Sequence, residues 1–156
     1  MLPKVLAITD WLKTMFTIVS NITANPTWVQ TMSALRGQVF NCHLGENLGD
    51  EKNKHRPVLV VSINNINLRS TTLIVAPLSK TLKRRPDGGP RLASHYFLNS
   101  KKYTFLSADS AVQCEDMRSI TKARLTQLLG QIDQTDMEEI EKRLRYVLGL
   151  VDKNKP

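Results

Sequence analysis

The sequence predicts a small antiparallel β-barrel flanked by helices, on three observations. From Arg36 to about Ile120, short apolar runs alternate with turn-rich segments and no long helical period intervenes. Within that stretch, "PVLVVS" and "TTLIVAPLS" are unbroken apolar runs, the texture of strands buried on both faces. Helical spacing is confined to the two ends of the chain. A chain of 156 residues suits one domain plus an appendage, and a hydrophobic fraction of 41% is enough to build a core.

At the amino-terminal end, Val5, Ile8, Leu12, Met15, Val19 and Ile22 recur at steps of three and four, which predicts an amphipathic helix. Trp11, Phe16 and Ile18 widen its apolar face, which favours packing on the parent domain over a solvated coiled coil. Pro26 in "TANPTW" stops this helix, because the residue before a proline is pushed out of the helical region. A second short helical turn fits Trp28 to Leu35.

The strands follow. "GQVFNCHL" is rich in β-branched and aromatic residues, and "SHYFLN" comes after the basic, Pro/Gly-rich loop "KRRPDGGPR". "YTFLSADSAVQCEDMRSI" supplies one or two more. The remainder, Thr121 to Leu150, is expected to be helical in two pieces. "TKARLTQLLGQID" opens on a cap at Thr121 and closes near Gly130, and "TDMEEIEKRLRYVLGL" is capped by Thr135 or Asp136. The second piece carries acids in its first turn and Arg143 and Arg145 toward its end, the polarity that suits the helix dipole. Met137, Ile140, Leu144, Val147 and Leu148 make its apolar face.

Composition removes several classes. No apolar run approaches the roughly 20 residues needed to span a bilayer. "MLPKVLAITDWLK" has Asp10 and Lys13 within its apolar part, unlike a secretory signal. Cys42 and Cys114 fit neither a disulfide framework nor a metal cluster, and read as buried reduced thiols of a cytoplasmic protein. His43, His55 and His95 have no carboxylate or lysine spacing that supports a paired-histidine ribonuclease. The acids gather on the last helix rather than at strand ends, which disfavours a carboxylate-bound metal nuclease.

Charge points the other way. The formal net charge is +8, and between Lys80 and Lys102 seven cations (Lys80, Lys83, Arg84, Arg85, Arg91, Lys101, Lys102) face Asp87 alone. Such a concentration attracts polyanions, so nucleic acid is the favoured partner, with a solvated basic loop as the alternative. Pro57 lacks an N–H and is tolerated where a chain enters a sheet, so Arg56 before it is expected at a barrel rim. A guanidinium held there offers a planar fork of donors to a phosphate, or a partner to Glu51.

"RGQVFNCHLGENLGDEKNKHRPVLVVS", then "TTLIVAPLSK", then "DSAVQCEDMRSITKARL", then a helix ending in "VLGL" resemble, in this order and spacing, the MazF/PemK/Kid family of toxin endoribonucleases. The resemblance spans about Leu35 to Leu150 and rests most on Arg36-Gly37, Gly49, Glu51, Arg56 and Pro57. It implies a barrel related to that of the CcdB toxins over residues 34–152, with residues 1–33 as a helical extension. It also implies a cytoplasmic homodimer that cuts single-stranded RNA without a metal or other cofactor and is neutralised by a cognate antitoxin. Cleavage in that family runs through attack of a ribose 2′-hydroxyl on the adjacent phosphate.

On this resemblance Arg56 binds the scissile phosphate and Ser79 stands where the family has a threonine. Serine keeps the hydroxyl and loses the methyl that fixes its rotamer. Glu51 and His55 fall beside Arg56, as supports or RNA contacts. Arg118 keeps a family arginine, whereas Asp116 replaces an amide by an acceptor-only carboxylate that repels phosphate. Asn64 and Asn65, between the two apolar strands, are base-reading candidates or plain turn formers. Lys80, Lys83, Arg84 and Arg85 lie just past Ser79 and are placed to track an RNA backbone. Ser79 and Asp116 keep open a barrel that binds nucleic acid or antitoxin without cutting. A CcdB-like gyrase poison is the remaining alternative.

Overall fold

The computed structural model describes residues 33–45 and 55–150, together with positions 8, 9, 12, 13, 15, 16 and 19. Val5, Ile22, the turn expected from Trp28, Glu51 and the tail after Leu150 lie outside the described residues. The elements are β1 (Gln38–His43), β2 (His55–Val60), α1 (Asn64–Arg69), β3 (Thr72–Ser79), β4 (His95–Leu98), β5 (Ser110–Gln113), β6 (Arg118–Thr121), β7 (Leu125–Gln131) and α2 (Gln134–Val147). Every pairing is antiparallel, in the order β4-β5-β3-β2-β1-β7 with β6 also on β3.

Strand β3 is the hub. One edge pairs with β2, while the other is shared: Thr72 to Val75 pair with β6, and Leu78 and Ser79 pair with β5. Between those two ladders, Ala76 and Pro77 face the five residues Gln113 to Met117. The surplus forms a 3-10 turn, Cys114–Asp116, that lifts Glu115 and Asp116 off the sheet. Pro77 has no N–H to offer there, so the interruption falls where a ladder bond would be missing anyway.

Alternation along the strands builds two cores. Phe40, Cys42, Val58, Val60, Leu73, Val75, Ile120 and Leu125 pack together inside the curl of β6, β3, β2, β1 and β7. Val39, Leu59, Ala76, Leu78 and Val112 point the other way, against Met137 and Ile140 of α2. The loop from Asn99 to Asp109 crosses to β7. Phe105 packs on Gly130, where a Cβ would come within 2.2 Å of the ring. Tyr103 is buried, and its hydroxyl accepts from the Asp133 N–H at 3.1 Å.

Four expectations need correction. The segment read as a helix from Thr121 to Gly130 is a 3-10 turn followed by β7, which pairs with β1 from Gln38↔Gln131 to Cys42↔Leu125. A ladder on the β1 edge and burial of Leu125 outweigh a weak helical preference. The asparagine-rich link between β2 and β3 holds α1, fastened by buried Asn67, which donates to the Ser62 carbonyl at 2.9 Å. The last helix is capped two or three residues earlier than expected, by Asp133, whose carboxylate accepts from the Asp136 N–H. At its other end Leu148 is exposed. Finally, the described amino-terminal positions are helical, but of their apolar residues only Met15 is partly buried, against Ala123. Ile8, Leu12, Phe16 and Val19 are between 52% and 75% exposed, so the expected packing is partial.

Candidate functional site

The β2–β3 ladder pairs Val60↔Val75, Leu59↔Ala76 and Val58↔Pro77. Continued two residues, this register sets Arg56 across from Ser79. The ladder itself ends at Val58↔Pro77, next to Pro57, which brings no N–H, while Leu78 and Ser79 pair with β5 on the other edge of β3. Arg56 and Ser79 therefore lie just past the last β2–β3 pair.

Both side chains belong to the face that lines the barrel core, since Arg56 is two residues from Val58 and Ser79 is four from Val75. Arg56 is half-buried and Ser79 is 6% exposed. The Ser79 Oγ accepts from the Thr81 N–H at 3.2 Å, which leaves its O–H proton to donate.

Two further guanidiniums, Arg118 and Arg124, act on Cys42, the cross-strand partner of Arg56. Cys42 stands opposite Arg56 in the β1–β2 ladder, and its thiol is pushed up to about 12 by burial, with Arg124 and Arg118 pulling it back. Arg56, opposite Cys42, and Arg124, bonded to the carbonyl of the next residue His43, thus share one end of β1. Arg118 is exposed, pairs with Val75 and shares the inward parity of Ile120. Arg124 donates from Nη1 to the His43 carbonyl at 3.2 Å. Sequence reading missed Arg124, because the helix expected over "TKARL" hid that the chain turns back beside β1 there.

The other candidates divide. His55 is exposed next to Arg56, its ring edge-on to His43 at 5.1 Å. Lys80 is exposed directly after Ser79, and Lys83 is exposed at the base of a hairpin in which Arg91 N–H bonds Lys83 carbonyl. Arg84 lies over the Phe97 ring at 4.9 Å and donates to Gly88 at 2.8 Å. Arg85 pairs with Asp87 at 3.1 Å. Asn64 and Asn65 begin α1, at the far end of β2 and β3 from Arg56 and Ser79, and the Asn64 side chain accepts from the Arg36 N–H at 2.7 Å. Asp116 is exposed two residues from Arg118, and Glu115 meets buried His95 Nε2 at 2.6 Å. Burial works against ionisation of Glu115, but bonds from Ser94, its own backbone and His95 outweigh it and hold the carboxyl below its ordinary range. On the opposite face from Arg56 and Ser79, their neighbours Pro57 and Leu78 line a cavity of about 190 Å³.

Guanidinium and hydroxyl groups are donors of the kind that the oxygens of a phosphodiester accept from. Residues 35–148 match the sequence pattern described as "PemK-like, MazF-like toxin of type II toxin-antitoxin system". The chain is 31% identical over 121 residues to a Bacillus subtilis protein named Endoribonuclease EndoA, covering 78% of this chain and 99% of that one. Its fold is similar to that of MazF from Deinococcus radiodurans, with a TM-score of 0.61 at 19% identity over 76% of this chain and 98% of that one. It is also similar to a mycobacterial endoribonuclease solved in complex with its cognate antitoxin, with a TM-score of 0.58 at 24% identity over 76% and 98%. Among the described residues no helix is long and apolar enough to cross a membrane.

Proposed function

This chain belongs to the PemK-like, MazF-like toxins of type II toxin–antitoxin systems, and we propose that Arg56 and Ser79 are the pair with which it cuts single-stranded RNA. The family is one of endoribonucleases, and the observation that supports these two residues is the β2–β3 register, which continued past Val58↔Pro77 sets them across from each other. A phosphodiester lodged there meets the Arg56 guanidinium on its non-bridging oxygens, where negative charge grows in the transition state. The ribose 2′-oxygen gives up its proton and bonds to phosphorus, the bond to the 5′-oxygen breaks, and that oxygen takes a proton. The products are a 2′,3′-cyclic phosphate and a 5′-hydroxyl. Ser79 donates its hydroxyl to a phosphate oxygen or to the departing 5′-oxygen.

Arg118, Arg124 and Lys80 hold the flanking phosphates, and the exposed Lys83 extends the track. The residues from 34 to 152 act as the nuclease domain, working in the cytoplasm as a homodimer that a cognate antitoxin neutralises. The reaction needs no metal, because the guanidinium supplies the compensating charge.

One observation favours a second reading. Asp116 is exposed beside Arg118 and sets a carboxylate against an incoming phosphate, which suits a barrel that binds RNA without cutting it. Incubation of the purified protein with long single-stranded RNA in EDTA separates the two. Fragments bearing 5′-hydroxyl ends are expected, and Arg56→Ala should slow their release about 10²–10³-fold. Intact RNA with retained, salt-sensitive binding gives the second reading instead.

A further inference from the structure

We propose that the cavity behind Arg56 and Ser79 is a nucleobase pocket that holds one base of the RNA next to the cleaved bond. This rests on the nuclease reading above and adds the element that gives it sequence preference.

Position comes first. Pro57 and Leu78 are the immediate chain neighbours of Arg56 and Ser79, and alternation turns them to the opposite face, where they line the cavity. Because the β2–β3 ladder has ended at Val58, no backbone bond closes the lip between the two faces. An RNA strand with one phosphate at Arg56 and Ser79 therefore brings the adjoining base over that lip.

Size and lining agree. At about 190 Å³ the cavity is below the roughly 300 Å³ at which drug-sized sites begin, and suits one planar ring system. Leu78, Leu129 and Pro57 make it apolar, and Phe105 adds an aromatic ring for stacking. That ring reaches its place because Gly130 has no Cβ to block it.

The polar groups are those that a base asks for. Asn41 lines the cavity with an amide that both donates and accepts, and its bond to Gln127 is a long 3.5 Å. Ser107 adds an exposed hydroxyl, and Lys80 an ammonium one residue past Ser79, placed for the phosphate that flanks the base. An aliphatic side chain from a protein partner would satisfy the apolar wall but leave these three groups unanswered.

The test uses the full chain. Leu129→Trp fills the cavity, and Asn41→Asp keeps its size while removing the amide donor; thermal melts check that both fold. RNA is cut to completion by each variant and the cut sites are mapped. In parallel, a single-stranded RNA carrying 2-aminopurine beside the cut site is bound to the uncutting Ser79→Ala protein. Leu129→Trp is expected to lower kcat/KM about tenfold, the loss of one stacked base. Asn41→Asp is expected to change the nucleotide found beside the cut, and the probe's fluorescence should be quenched with Ser79→Ala but not when Leu129→Trp is added. Unchanged sites and rates in both variants overturn the pocket, as does an unquenched probe. Normal cutting by Leu129→Trp with loss of inhibition by antitoxin also overturns it, and assigns the cavity to a protein side chain. Should Leu129→Trp not fold, Asn41→Asp and the probe decide alone. Failure of the wild-type protein to cut RNA strikes the nuclease reading instead, and probe quenching still reports on the pocket.

Discussion

Arg124 donates a 3.2 Å hydrogen bond to the carbonyl of His43, tying the start of β7 to the end of β1 beside the cross-strand partner of Arg56. The same side chain lies 3.3 Å from where a Cβ would stand on Gly45, whose φ of +87° carries the chain out of the strand. Arg124 thus holds the end of β1 and brings a positive charge to the end of the strand that faces Arg56. Arg124→Ala is expected to lower RNA cleavage about tenfold or more and to flatten the salt dependence of binding by about 0.7 in log–log slope, one phosphate contact. Arg124→Lys should recover the slope but not the full rate, since an ammonium cannot reproduce the fork. Salt titrations of binding beside initial rates check both.

Asp136 gathers the hydroxyls of Tyr96 and Tyr103 and the ammonium of Lys102 at the head of α2. Burial opposes its ionisation, but bonds from Lys102, Tyr103 and Tyr96 outweigh that and hold its carboxyl below the usual range. The unfolded chain therefore binds the proton more readily, so this stabilisation is complete above the unfolded value near 3.9 and is lost as pH falls through the folded one. Asp136→Asn is expected to cost about 1–3 kcal/mol at neutral pH, and to lessen the acid sensitivity of the melt. Thermal melts from pH 7 down to about 3 measure both effects.

Lys122 is wholly buried, and its ammonium has no hydrogen-bond partner among the described residues. Burial lowers its pKa, so at high pH the unfolded state binds the extra proton and stability climbs with pH toward the unfolded value near 10.4. Lys122→Met keeps the length of the side chain and removes the charge. It is expected to raise stability at neutral pH by about 1–3 kcal/mol and to abolish the alkaline climb. Urea unfolding at two pH values decides.

The thiols of Cys42 and Cys114 are both pushed up to about 12, chiefly by burial. Neither should react with a thiol reagent at pH 8 in the native protein, and both should react in denaturant. Counting modified cysteines by mass gives the answer, and reaction of Cys42 alone in the native state would show that the end of the barrel beside Arg56 opens.

Much of this fold was legible because the strands announce themselves by composition. "PVLVVS" and "TTLIVAPLS" are too apolar and β-branched to be anything but buried strands, and each falls within one or two residues of β2 and β3. The segment from Lys122 to Gln131 was not legible, since its leucines fit a helix as well as a strand. Its identity is settled by a partner more than eighty residues away, at β1. That Arg56 falls across from Ser79 when the β2–β3 ladder is continued is likewise a matter of register, which spacing alone does not give. Asn41 carried no signal at all, because its importance comes from Pro57, Leu78 and Phe105 meeting around it.

Of the five residues from Gln113 to Met117 that answer only two on β3, Gln113 still pairs with His95, Cys114 is buried in the core and Glu115 is tied to His95, which leaves Asp116 exposed between two ladders. A change of side chain at Asp116 would alter what is presented near Arg118 while leaving every strand in step. Selection, or an engineer, could therefore remodel that one position to suit a different message without having to refit the scaffold that holds Arg56.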